Sequence, residues 1–201
     1  MVDHSAGVRS GRWQASEDFC YWDYPQVELA SRTLGIIGLG DIGGRVARIA
    51  RGFGMTILAT TRRPERPAPE GVRWAGYEDL YAASDIVSLH CPLTEETKGL
   101  IHSGSLGLMK EGAILINTGR GPLVNEGDLA EALNEGRLGG AGIDVLNEEP
   151  PRHESPLFTA RNCLITPHIA WATRDSRQRL MKITESNLEA FIKGEPLKAV
   201  N

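Results

Sequence analysis

Three short segments late in the chain carry the side chains best suited to chemistry. They are NTGRG (Asn117 to Gly121), IDVLNEEPP (Ile143 to Pro151) and TPHIAWA (Thr166 to Ala172). Each comes at the carboxyl end of an apolar, β-branched run, the expected end of a strand. Ligands bind along that edge in open α/β sheets. Arg120, Glu149 and His168 arriving there form a set suited to reducing an α-keto acid. An arginine fork clamps a carboxylate with charge-assisted bonds and polarises the ketone. A histidine can release a proton near neutral pH, and a carboxylate beside it favours the charged ring and orients it. Singly, each residue also has a plainer reading. Arg120 could be a surface charge after a strand, Glu149 a solvated loop acid, and His168 a satisfied histidine beside Pro167.

Such a reduction needs a hydride, and GLGDIG (Gly38 to Gly43) has the pattern of a site for its carrier. The stretch follows the apolar run TLGIIG and opens a helix, VARIARGFG, before a second run. Gly38 permits a tight turn, Gly40 lets a pyrophosphate approach the backbone, and Gly43 allows close helix–strand packing. Exposed amides at the helix start then bind the phosphates. Asp41 is a discord there, because its carboxylate must point away from them. NAD sites place an acid about 20 residues on, against the ribose. This chain has Thr61, Arg62 and Arg63 instead. Threonine does not repel a 2′-phosphate, and an arginine fork can bind one. The expectation is therefore NADP(H) favoured, with NAD(H) possible. The plainer alternative is two solvated arginines and a loosely held NAD.

The elements that must position these groups alternate along the chain. Apolar runs recur at 33–38, 55–60, 85–91, 113–118, 140–145 and 163–168, with helical or turn-rich segments between them. Mostly apolar runs without strict alternation predict strands buried on both faces of a parallel sheet. Their alternation with helices predicts right-handed βαβ units and a doubly wound α/β fold of Rossmann type. Asn125 is expected to cap a helix over 126–135, with Asp128 completing the cap and Gly136 as the stop. A last helix is expected from Thr173 to Lys193, striped by Leu180, Thr184, Leu188 and Phe191 and ended by Gly194. The organisation read this way is an arm over 1–30, a dinucleotide-binding domain over 31–172, and a helix and tail over 173–201. The arm gathers Trp13, Phe19, Tyr21, Trp22 and Tyr24. Those rings either fill gaps on their own domain or dock on a partner subunit, since aromatics carry much interface energy.

Bulk properties narrow the partners. At 201 residues, 41% hydrophobic and 24% charged, the chain reads as an ordinary globular protein. A net charge of −4 argues against nucleic acid. No apolar run approaches membrane-spanning length, and MVDHSAGVRSGRW lacks the apolar core of a signal peptide. Cys20, Cys91 and Cys163 are far apart, which suits a reducing cytoplasm and predicts neither a disulfide framework nor a metal site. No tyrosine has a lysine four residues on, which argues against a short-chain reductase.

The motifs together are specific. GLGDIG, CPLTEET (Cys91 to Thr97), NTGRG, GIDVLNEEPP and TPHIAWAT resemble the D-isomer-specific 2-hydroxyacid dehydrogenase family, over nearly the whole sequence from GRW at 11–13 to EP at 195–196. Within it, DFCYWDYPQVELA and the tryptophan of HIAW resemble the glycerate dehydrogenase/hydroxypyruvate reductase branch. The resemblance implies that Arg120 binds substrate, that Glu149 is the acid partner and that His168 is the proton donor. It implies that Asp41 and Ile42 join the glycines at the coenzyme, with Cys91, Pro92 and Thr97 by the adenosine. It further implies that Thr118, Gly119, Arg120, Asp144, His168 and Ala170 lie on the nicotinamide side. It implies a homodimer through this domain and residues 13–24, and a substrate domain largely absent from this chain. Two functional expectations follow: reduction of a small 2-keto acid of hydroxypyruvate or glyoxylate type by a truncated chain, or a non-catalytic nucleotide-binding, dimerising remnant.

Overall fold

The structure is a computed structural model that describes residues 2–62, 65 and 67–195. Arg63 lies outside the described residues. The chain folds as α1 (Val2–Arg9), β1 (Thr33–Ile37), α2 (Asp41–Gly52), β2 (Thr56–Ala59), β3 (Val72–Trp74), α3 (Tyr77–Ala83) and β4 (Ile86–Leu89). It continues with α4 (Ser103–Leu108), β5 (Ile114–Asn117), α5 (Glu126–Asn134), β6 (Gly140–Ile143), β7 (Cys163–Ile165) and α6 (Arg174–Ile192). Single 3-10 turns lie at Gly121–Leu123 and Pro156–Thr159.

All seven strands pair in parallel, in the order β3-β2-β1-β4-β5-β6-β7. The chain starts at the centre, winds outward to β3, and returns to build the other half. The strand order therefore reverses between β1 and β4, and the carboxyl ends on either side of that point form a crevice. Alternate residues explain the two-sided burial. Leu34, Ile36, Ile57 and Ala59 pack under α2 with Ala47 and Ala50. Ile37, Leu58, Val87, Leu89 and Leu115 face Leu80, Leu106, Leu129 and Leu133 on the opposite side.

Six strands fall within the expected runs. The seventh, β3, was not expected, because a half-buried three-residue VRW at the sheet edge has no apolar run to announce it. The arm opens with α1 and folds back on itself. Arg12 forks onto Asp23 at 2.8 and 2.7 Å and stacks 4.2 Å from the centre of the Tyr21 ring. Its other rings do not fill gaps: Trp13, Phe19, Trp22 and Tyr24 stay exposed. α5 is capped by Asn125, whose side chain accepts from the Gly127 and Asp128 amides. Asp128 does not complete that cap; its carboxylate accepts instead from the Ser103 amide at 2.7 Å, tying α5 to the start of α4. α6 runs within the expected bounds, capped by Thr173 and followed by Gly194 at φ +76°. Its stripe is uncovered, with Leu180, Leu188 and Phe191 all exposed. No described helix is long and apolar enough to cross a membrane. A second, substrate-binding lobe is not among the described residues.

Candidate active site

The glycine turn has three different constraints. Gly38 has φ +95°, and a Cβ there would lie 2.6 Å from the Cys91 amide nitrogen. Backbone conformation and space both demand glycine. A Cβ on Gly43 would lie 2.3 Å from the Gly38 carbonyl oxygen, so α2 packs directly on the turn. Gly40 differs: it caps α2 without a side-chain bond, and a Cβ there would meet nothing within 4 Å. The first amides of α2 are thus left without a capping side chain beside open space. At the end of β2, the buried Thr60 hydroxyl accepts from the Gly38 amide at 3.3 Å, Thr61 is half-buried and Arg62 is exposed.

The next two loops meet in a cleft of about 480 Å³ lined by Ile42, His90, Cys91, Pro92, Leu93, Thr118, Gly119 and Arg120. Asp41 does not line it; it borders a separate hollow with Arg45 and Arg48, between α2 and the start of β3. Burial pushes the Cys91 thiol up and the His90 imidazole down. Thr97 acts within its own loop, donating to the Pro92 carbonyl at 2.7 Å and accepting from the Thr94 amide at 2.8 Å. Asn117, buried at the end of β5, clamps the turn that follows. Its Oδ1 accepts from the Gly119 amide and its Nδ2 donates to the Arg120 carbonyl. Arg120 is exposed, with Nη1 on the Gly119 carbonyl at 2.7 Å.

Further along the same edge, Glu149, after β6, places Oε2 2.7 Å from Nδ1 of His168, after β7. Glu149 Oε1 accepts from the Leu146 amide at 3.0 Å, so both carboxylate oxygens are placed. His168 Nε2 has no partner among the described residues. The pair borders a hollow of about 530 Å³ with Asp144, Leu146, Thr166, Pro167 and Phe158 among its walls. His168 itself has φ +52°.

Asp144 organises the loop that holds this ring. It is 4% exposed. Oδ1 accepts from the Thr166 hydroxyl and the Ile169 amide, and Oδ2 accepts from the Ala170 amide at 2.8 Å. Its carbonyl also accepts from the His168 amide. Burial alone would push this carboxyl up, but the Thr166, Ala170 and Ile169 bonds and nearby His168 outweigh it and hold it below the usual carboxylate range. Its carboxylate and the Ala170 amide are therefore spent on the loop. Sequence reasoning named Asp144 but missed this task, and missed Asn117 as a clamp. The signal available was a polar residue at the end of an apolar run, where a strand residue is expected to be buried.

A model of the D-isomer specific 2-hydroxyacid dehydrogenase, NAD binding domain, matches residues 1–170. The chain belongs to that family. It is 44% identical over 200 residues to a hydroxypyruvate reductase of Blautia hydrogenotrophica, covering 98% of this chain and 62% of that protein. It is 42% identical over 202 residues to a glycerate dehydrogenase of Methylorubrum extorquens, covering 100% and 62%. Among solved structures, the TT0316 protein of Thermus thermophilus superposes with a TM-score of 0.84 at 40% identity, again over 100% and 62%. The chain thus spans a little over three fifths of the length of these relatives.

Proposed function

We propose that this chain carries the coenzyme site and the acid–base pair of an oxidoreductase that reduces a small 2-keto acid, of hydroxypyruvate or glyoxylate type, to the D-2-hydroxy acid. The observation that carries this reading is the 2.7 Å contact of Glu149 with His168, on the same sheet edge as the open glycine turn. The start of α2 suits a dinucleotide phosphate, because Gly40 leaves both the amides and the space above them free. Bound there, a nicotinamide coenzyme supplies the hydride. Arg120 holds the substrate carboxylate, since its bond to Gly119 uses Nη1 alone and leaves Nη2 and Nε for the ligand. Glu149 fixes the ring through Nδ1, and His168 gives a proton from Nε2 to the carbonyl oxygen as it becomes an alkoxide.

NADP(H) is the favoured coenzyme, since Thr61 and the exposed Arg62 occupy the place of an acidic ribose ligand. The exposed arm rings are read as a homodimer contact over residues 13–24, and the free thiols suit the cytoplasm.

A second reading, a nucleotide-binding and dimerising module without turnover, is favoured by the openness of the pair. The His168 and Glu149 side chains are 41% and 36% exposed, and water at a site weakens the electrostatic contacts that catalysis uses. Following NADPH absorbance with hydroxypyruvate, glyoxylate and pyruvate separates the two. Saturable turnover by the 201-residue chain supports the reductase. Coenzyme binding with no turnover supports the module.

A further inference from the structure

The loop that carries Glu149 has little packing to hold it. Residues 147–154 are all exposed, and a loop of that kind opens at low free-energy cost unless something else restrains it. The restraint comes from a side chain that the proposed chemistry does not use. Glu126 is the first residue of α5. Its Oε1 accepts from the Asn147 amide at 2.7 Å, and its Oε2 accepts from the Ser155 hydroxyl. Asn147 and Ser155 stand on either side of Glu149, so one carboxylate bridges the neck of the loop. Both ends of that bridge are anchored. Asn125 caps α5 beneath Glu126, and the Ser155 hydroxyl also accepts from the amide of Leu157, which is buried against the core.

We propose that Glu126 is a positioning residue for the Glu149–His168 pair. By closing the loop neck it holds Leu146 and Glu149 where the carboxylate can meet the Leu146 amide and His168 Nδ1 together. Two donors converge on Glu126, and a carboxylate accepts both, one on each oxygen. A glutamine could keep both contacts, because its N–H can donate to the Ser155 oxygen, whereas an alanine removes both acceptors and leaves the loop neck unbridged.

The inference rests on the proposed pairing of Glu149 with His168, so its test needs neither coenzyme nor turnover. Long-range proton–nitrogen NMR correlations of the His168 ring report which nitrogen carries a proton and what holds it. They are recorded for the 201-residue chain, for Glu149→Ala as the reference for a lost contact, and for Glu126→Ala. The expected result is that Glu126→Ala moves the His168 signals most of the way to the Glu149→Ala positions, while the Gly38 and Gly40 amides stay in place. Unmoved His168 signals in a folded Glu126→Ala chain overturn the proposal. If that variant does not fold, Ser155→Ala, which removes only one of the two contacts, decides it. A displaced ring signal in Ser155→Ala supports the bridge, and an unchanged one overturns it. An inactive chain with the expected NMR response would sink the catalytic reading alone.

Discussion

Gly121 lies against the backbone of Leu146 so closely that a Cβ on it would fall 1.9 Å from the Leu146 carbonyl oxygen. The turn bearing Arg120 and the loop bearing Glu149 are therefore pressed together, backbone to backbone. One group holds the proposed substrate clamp and the other the proposed proton relay, and neither can move far without the other.

Gly121→Ala should disturb both at once. Forcing a methyl group into that contact should cost about 2–3 kcal/mol, as overpacking does. Denaturant unfolding of the variant checks the stability. A parallel shift of the His168 ring signals in NMR checks that the two loops are coupled. An alanine variant with unchanged stability would mean that the loops slide apart freely.

His168→Ala should leave coenzyme affinity nearly intact while lowering turnover about 10²–10⁴-fold, the range expected when a general acid is lost. Coenzyme titration and steady-state rates on any form of the protein that turns over are the paired measurements. Unaltered turnover would remove His168 from the role of acid.

Arg62→Ala should weaken NADPH binding about 10- to 100-fold, the size of one charge-assisted bond, and leave NADH nearly unchanged. Dissociation constants for both coenzymes decide it. If NADH is the tighter ligand of the unaltered chain, the favoured coenzyme is reversed.

Asp144 predicts a particular acid response. Its folded-state pKa is depressed, so the stability it contributes is present above the ordinary carboxylate value of 3.8. That contribution is lost as pH falls from there through the folded value. Asp144→Asn should cost about 2–3 kcal/mol at neutral pH, because one oxygen cannot accept all three bonds. The gap between the two proteins should then close in acid. Unfolding curves carried from pH 7 to well below 3.8 test this, and a gap constant over that whole range would refute the ionised role.

The arm should bury its rings on a second copy of the chain. Sedimentation of the unaltered chain should show a dimer, and Trp13→Ser with Trp22→Ser should show a monomer. A monomeric unaltered chain with tryptophan fluorescence quenched by solvent defeats this reading.

The sheet was legible where strands were buried on both faces, because runs such as ILIN and TILA leave few alternatives once helices separate them. It was illegible at β3, where Arg73 points to water and the strand exists only because β2 offers an edge. α1 was hidden for a related reason, since VDHSAGVR has no apolar stripe. In the candidate site, the residue types of Glu149 and His168 and their place at one sheet edge could be read from spacing alone. The side-chain acceptors could not. Asp128 sits where a cap box predicts a bond to its own helix, but the Ser103 amide of another helix reached it first. Asp144 and Glu126 likewise serve loops that lie next to them only after folding. Sequence spacing reports what a residue could do for its neighbours in the chain, while long-range donors decide what it does.

The left-handed backbone under His168 has a practical outcome for anyone engineering this chain. Glycine adopts φ +52° without the penalty of about 1–2 kcal/mol that a side chain incurs there. A screen for heat resistance alone would weigh that penalty only against the 2.7 Å contact with Glu149 and would be blind to any task of the imidazole. A descendant that took glycine there would have given up its proposed proton donor.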